Sequence, residues 1–236
     1  MTADTPVLSA QNLRKTYGST TALDGVSASI RAGESVAVMG ASGSGKTTLL
    51  HCLAGIILPD TGSIRLFTTP SDVPAEITSL DDAARSALRR TEFGFVFQEG
   101  LLIPELTAGE NVALALMLNG TARQVAEQQA AAALAALGLG GMEGRRIGEL
   151  SGGQAQRVAI ARAQVNGARV LFADEPTGAL DSRTSADVMA LLLQSVAGTG
   201  RALVVVTHDP EVARWCSRVL TLADGRIVAD TAGVAR

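Results

Sequence analysis

The sequence predicts an α/β domain with a mainly parallel sheet, an antiparallel β portion at the N-terminus and a helical subdomain inserted in the middle. Three observations lead there. Short apolar runs, GESVAVMG at 33–40, FGFVF at 93–97, RVLFAD at 169–174 and ALVVVT at 202–207, alternate with helix-length segments. That is the pattern of buried strands joined by helical crossovers. Two longer strand-like segments, 7–17 and 21–30, are separated only by a Gly18–Ser19 turn, which suits antiparallel pairing. The stretch from about 78 to 150 is mostly helical in pattern, so it reads as an insertion within a single domain spanning 1–236.

The remaining elements follow in order. After the third strand a helix is expected from Lys46 to about Ala54; Leu58-Pro59-Asp60 then breaks the chain, and GSIRLF returns to strand. From Ser71 to Arg90 the sequence is polar and helical in its second half, with Ser79 and Asp82 at capping-box spacing. Thr107 with Glu110 and Thr121 with Gln124 repeat that spacing, predicting helices over 107–118 and 121–137. The alanine-rich EQQAAAALAALG favours helix and stops at Gly138. Helices at 151 to about 166, 183–197 and 210–216 come next, and VLTLADGRIVAD reads as a hairpin turning on Asp224–Gly225.

Composition narrows the function classes. The 236 residues, 47% hydrophobic and 18% charged, can bury a substantial core. A net charge of −3 sets aside a nucleic-acid binder acting through a broad basic surface, so no nucleic-acid partner is expected. No uninterrupted apolar run approaches the roughly 18 residues of a membrane-spanning helix. The opening MTADTPVLSA has neither a basic segment nor an apolar stretch, so no secretory signal is expected and a cytoplasmic chain is. Cys52 and Cys216 lack a CxxC pairing and are expected to be reduced packing residues.

Gly40-Ala41-Ser42-Gly43-Ser44-Gly45-Lys46-Thr47, followed by Thr48, fits G-x-x-x-x-G-K-[ST] between a predicted strand and a predicted helix. Glycines let backbone N–H groups converge on a phosphate, and the helix N-terminus adds its positive end. Lys46 is positioned to reach the β- and γ-phosphates of a nucleotide, and the Thr47 hydroxyl to ligate Mg²⁺. The expected fold is therefore that of a P-loop NTPase. Val170-Leu171-Phe172-Ala173-Asp174-Glu175 supplies the acidic strand such a site needs. Asp174 would assist the Mg²⁺ shell, and Glu175 would act on the attacking water. Pro176 is expected to keep Glu175 extended. A second phosphate-holding device stands about a hundred residues later: LSGGQ at 150–154 opens a predicted helix, and Ser151 with Gln154 also has the spacing of a capping box.

With these residues in order, the sequence resembles the nucleotide-binding subunits of ABC transporters over nearly its whole length. The ordered set comprises Tyr17, the P-loop, Gln98, the signature Leu150–Gln154, the pair Asp174 and Glu175, Gly178–Asp181, and His208. The resemblance implies two copies packed head to tail. The signature of one, through Ser151, Gly152, Gly153 and Gln154, would bind the γ-phosphate of the ATP held by the other's P-loop. It further implies that Tyr17 stacks on adenine, that Gln98 contacts Mg²⁺ or the water and senses a membrane permease, and that His208 contacts the γ-phosphate. Asp181 would line the dimer seam or cap the next helix. His51 reads as a packing residue.

FGFVFQ, LLIPELTAGENV, RRIGELSGGQAQRVAIARA and DEPTGALDS look most like the group of macrolide exporters, lipoprotein-release ATPases, antimicrobial-peptide resistance pumps and the cell-division ABC ATPase. Ala155, Gln164 and Glu99 depart from that pattern. The implied function is an ATP-hydrolysing subunit, peripheral on the inner face of the membrane, that drives a separate permease. The alternatives are a permease-coupled regulator that moves no substrate and a soluble ATPase of DNA repair. Leu101, Leu102 and Ile103, consecutive apolar residues in a predicted loop, either tuck under the helical subdomain or dock the permease.

Overall fold

The computed structural model describes residues 6–68 and 73–231. The first five residues and Ser71, where the polar section begins, lie outside the described residues. β1 (Pro6–Tyr17) and β2 (Thr20–Arg31) pair antiparallel around the Gly18–Ser19 turn, with Leu8 opposite Ile30 and Tyr17 opposite Thr20. β4 (Thr61–Leu66) joins the other side of β1, and the two-residue β5 (Ala75–Glu76), which no sequence pattern announced, completes this sheet in the order β2-β1-β4-β5. Asp60 staples the strand ends. Its carboxylate accepts from the Thr16 N–H at 2.7 Å and from Lys15 Nζ at 2.8 Å. These bonds hold its carboxyl down at about 2.

The second sheet runs β10-β9-β3-β8-β7-β6. Its strands β3 (Ser35–Met39), β6 (Phe93–Phe97), β7 (Val170–Asp174), β8 (Ala202–Val206) and β9 (Arg218–Ala223) are parallel. β10 (Arg226–Asp230) folds back on β9 through Asp224 and Gly225, whose φ values of 47° and 72° suit a two-residue hairpin.

Both faces of the parallel sheet are buried, which is why its strands read as continuous apolar runs. Val36, Val38, Val170, Phe172, Val204 and Val206 face a core shared with the antiparallel sheet and with α1 (Lys46–Leu53). Their neighbours Ala37, Leu171, Ala173, Leu203 and Val205 face the other way. There they meet α5 (Gly152–Gln164), α6 (Ser182–Val196) and α7 (Pro210–Arg214). The same core includes Val112 and Leu116 of α3 (Ala108–Met117) and Ala126, Ala130 and Leu134 of α4 (Arg123–Ala136). Cys52 and Cys216 are buried and form no disulfide, and burial pushes the Cys52 thiol up to about 12.

Two of the four expected helix-start boxes are corrected. The box at Thr107 and Glu110 forms at both of its bonds, 3.2 and 2.8 Å. The helix α2 (Asp82–Thr91) is instead capped by Asp81, whose side chain accepts from the Ala84 N–H at 2.8 Å. Ser79 ends a 3-10 turn and donates to the Glu76 carbonyl, too far upstream to reach the first helical N–H groups. At α4 the cap position is Ala122, with no side-chain bond. Thr121 is occupied closing the end of α3, its N–H donating to the Leu116 carbonyl at 3.2 Å.

Helix α5 lies so close to β6 that a Cβ on Gly94 would run into the Ala163 carbonyl oxygen and come within 2.6 Å of Leu171 Cδ2. Backbone cannot yield there as a side-chain end can. Gly94→Ala is therefore expected to destabilise the fold by about 1–3 kcal/mol. Urea unfolding should show a lowered midpoint with an unchanged slope, and an unshifted midpoint would contradict the close packing.

Candidate functional site

The parallel register delivers the site. Val38 lies opposite Val206, Val206 opposite Asp174, and Asp174 opposite Phe97. The segments that follow these residues, the Gly40 loop, Thr207–His208, Glu175 and Gln98, therefore leave the sheet at one edge, where open parallel sheets bind ligands. A cavity of about 540 Å³ opens there, lined by Ser42, Gly43, Gly45, Lys46, Thr47, Thr48, Glu175, Val206 and His208. A second, of about 360 Å³, is lined by Thr47, Phe97, Gln98, Glu99, Leu101, Asp174 and Glu175. Thr47 and Glu175 belong to both.

Within the loop, Lys46 Nζ donates to the carbonyls of Gly40 and Ala41 at 2.8 and 2.9 Å, so the cation is already folded over the cradle. Gly40 and Gly45 have φ of 152° and 101°, and a Cβ on either would strike the backbone of Leu222 or Ala22. Gly43, with φ 79°, has nothing within 4 Å of its Cβ position. It fronts open space, the room a phosphate needs. The Ser44 hydroxyl is buried without a hydrogen-bond partner.

The acidic pair divides by environment. Burial pushes the Asp174 carboxyl above its ordinary range, against the opposing influence of His51 and of a bond from the Thr47 hydroxyl. Glu175 is not extended: its φ is 47°. The chain turns immediately off the strand through Pro176 and Thr177, with the Gly178 N–H donating to the Glu175 carbonyl at 3.1 Å. A non-glycine residue held there costs on the order of 1–3 kcal/mol and persists only where its surroundings overdetermine it. Here they do. The Glu175 N–H donates to Val206 O at 2.9 Å. Its carboxylate accepts from the Thr207 hydroxyl at 3.3 Å and lies 2.8 Å from His208 Nδ1. Sequence reasoning missed Thr207, although it stands beside His208 in VVVTHD.

The signature forms its own station. Gln154 N–H donates to Ser151 Oγ at 3.3 Å, and Ser151 N–H to Gln154 Oε1 at 2.9 Å, so the capping box is present. Ser151, Gly152, Gly153 and Gln154 line a cavity of about 390 Å³ with Arg157, Ala179, Leu180, Asp181 and Thr184. None of these residues lines the P-loop cavity. Asp181 caps α6 by accepting from the Arg183 and Thr184 N–H groups at 3.1 and 3.0 Å. Bonds from Thr184 are the first cause of its lowered pKa.

Of the expected groups, Tyr17 stands apart. Tyr17, 51% exposed at the end of β1, is outside the lining of the P-loop cavity, with Lys15 Nζ 5.7 Å from its ring centroid. The exposed Gln98 lies on the turn after Glu175, its Nε2 3.0 Å from where a Cβ on Gly178 would be. Of the three loop hydrophobics, Leu102 packs against the core, while Leu101 and Ile103 are exposed.

Residues 23–178 match the ABC transporter family. The chain belongs to that family. Among its relatives, the pyoverdine export ATP-binding/permease protein PvdT of Pseudomonas fluorescens is 45% identical over 97% of this chain and 34% of that protein. The macrolide export ATP-binding/permease protein MacB 1 of Yersinia pestis is 43% identical over 95% of this chain and 34% of its own length. This ABC chain thus spans about a third of the length of the curated relatives it matches. Among solved structures, a dimeric, post-hydrolysis state of the ATP-binding cassette MJ0796 bound to ADP and Pi has a TM-score of 0.84 and 38% identity. It covers 94% of this chain and 97% of that one. CbiO1 of Clostridium perfringens has a TM-score of 0.83 at 28% identity, covering 95% and 88%.

The two signature glycines of this ABC chain differ in what the fold asks of them. A Cβ on Gly153 would lie 2.5 Å from Thr184 Cγ2, whereas one on Gly152 would make an ordinary 3.5 Å contact with Leu180. Gly153→Ala is expected to lower stability by about 1–3 kcal/mol and Gly152→Ala by far less. Thermal melting of the two variants checks this, and equal shifts would be inconsistent with the packing of α5 on α6.

Proposed function

We propose that this chain is the ATP-binding and ATP-hydrolysing part of an export-type ABC transporter, working as a head-to-tail homodimer on a membrane permease. One observation carries the reading. The P-loop cavity and the signature cavity of a single chain share no lining residue. A signature that is to touch nucleotide must therefore find it on a second copy. The dimeric form of the cassette MJ0796 supports this arrangement, and the export names of PvdT and MacB support the transport role. Among the described residues no helix is long and apolar enough to cross a membrane. The membrane-spanning part is then another segment or subunit, which would hold this part at the inner face. Exposed Leu101 and Ile103, rather than Leu102, are the loop residues available to it.

In this reading the P-loop amides and Lys46 hold the phosphates, Tyr17 offers a face for adenine, and Asp181 with Ser151–Gln154 completes the partner's site. Glu175 takes the proton of the attacking water, with His208 and Thr207 fixing its carboxylate. The divalent ion that nucleotides carry is Mg²⁺, which neutralises phosphate charge. Thr47, Asp174 and Gln98 are oxygen donors lining one cavity, as that hard cation prefers. No described cluster of three His, Cys, Asp or Glu residues could hold a metal alone, which fits an ion arriving with its nucleotide.

Lys46→Ala is expected to abolish tight ATP binding, because the phosphates lose their point charge. Glu175→Gln should bind ATP and turn it over about a hundredfold more slowly or worse. Filter binding and phosphate release separate the two, and wild-type hydrolysis by Glu175→Gln would remove the base assignment. With ATP, Glu175→Gln should run as a dimer in light scattering, and adding Ser151→Arg should return it to monomer. A double variant that still dimerised would count against the shared site.

A further inference from the structure

Gln156 is buried at 3% exposure on α5, one turn beyond the signature glycines, and the proposed chemistry gives it no role. Its Nε2 donates two hydrogen bonds, one to the Phe97 carbonyl at 3.1 Å and one to the Pro176 carbonyl at 2.7 Å. The first acceptor immediately precedes Gln98 and the second immediately follows Glu175. We infer that Gln156 is a positioning residue for the proposed ATP hydrolysis, clamping the Gln98 loop and the Glu175 turn to the signature helix so that all three hold one arrangement. The inference rests on the ATPase reading above.

Two features of the fold give the clamp a task. Among the described residues four non-glycine residues have positive φ: Asn12, Leu101, Glu175 and Asp224. Two of them, Leu101 and Glu175, lie in the segments that α5 grips, and such backbone relaxes unless it is held from outside. Arg162, six residues along the same helix, adds to the grip, donating to the Gly100 and Leu101 carbonyls at 2.7 and 2.8 Å. The other bonds on Glu175 come from Val206, Thr207, His208 and its own turn. Among the described residues, Gln156 is the one side chain of the signature helix that hydrogen-bonds to that turn. A glutamine suits the place because two amide hydrogens meet two carbonyl oxygens; a carboxylate of the same shape would donate nothing and repel both.

The test uses the purified chain with Gln156→Glu and Gln156→Ala. Glu175 misplaced against its water should lower kcat about tenfold or more in both variants, with KM for ATP within about threefold, since phosphate binding is left to the P-loop. Hydrogen exchange needs no turnover. The amides of Gly100, Glu175 and Gly178 should exchange about tenfold faster or more, while those of α4 are unchanged. Leu134→Ala, buried in α4, a helix that makes none of the clamp's bonds, serves as a control for lost stability; it should lower the melting temperature and keep kcat within about twofold. Wild-type kcat in Gln156→Glu, an equal loss of kcat in Leu134→Ala, or exchange that rises evenly over the chain would each overturn the inference. A wild-type chain without turnover would fail the ATPase reading instead, and the exchange comparison would then decide the clamp by itself.

Discussion

The site depends on one ladder: the parallel register in which β3, β8, β7 and β6 stop together. Val38, Val206, Asp174 and Phe97 lie side by side, so four separate loops leave one edge in a row, each about 4.8 Å from the next. A slip of one residue in any strand would turn its alternating side chains to the wrong core and withdraw its loop from the edge. The two cores enforce the register independently. Phe172 packs against Phe93 and Phe95 on one face, with ring centroids 5.3 and 5.6 Å apart, while Leu171 and Ala173 are buried against the helices on the other. Hydrophobic burial on two faces thus fixes the position of Glu175, a carboxylate that itself makes little use of either core.

From that frame the electrostatics of the acidic pair follow. Asp174 is still part of the strand, half-buried and deprived of water, so its ionised form needs a cation or donors nearby. Thr47 and His51 answer in part, and a divalent ion on a nucleotide would complete the response. Glu175 is one residue further on and its backbone turns left-handed, which swings its carboxylate to Thr207 and His208. Adjacent residues of one type take different tasks because the strand ends between them.

Much of this was legible. Strand alternation, the P-loop and the Thr107 and Ser151 boxes depend on local spacing, and local spacing is what a sequence displays. The failures came where a tertiary contact outranked a local rule. Thr121 has the spacing of a cap, yet its N–H was already taken by the end of α3. Glu175 precedes a proline, which favours extended backbone, yet its bonds to Val206, Thr207 and His208 hold it left-handed. Ser79 lost to Asp81, which stands next to the first helical residue. Gln156 carried no signal, because its acceptors are backbone carbonyls 59 and 20 residues away. The loop hydrophobics were ambiguous for the opposite reason: Leu101, Leu102 and Ile103 look alike in sequence, and only packing separates the middle one from its neighbours.

The glycines show why two motifs so short are so recognisable. Gly40, Gly45 and Gly153 are required by this chain's own atoms, since a Cβ there meets Leu222, Ala22 or Thr184. Gly43 and Gly152 meet no such obstacle: one faces open space and the other only an ordinary contact. The left-handed φ of 79° still asks for a glycine at position 43, whereas the fold alone would leave Gly152 free to vary. A ligand that must approach the backbone closely would add a second demand at Gly43, because a methyl group there would occupy the room into which a phosphate fits. Each motif thus holds glycines demanded from within and also opens one glycine to its cavity. Two such runs on one chain open into cavities that share no lining residue, and in the proposed function they would hold two phosphate groups in different places. In a symmetric pair of chains, one nucleotide bridging each P-loop and the opposite signature satisfies both.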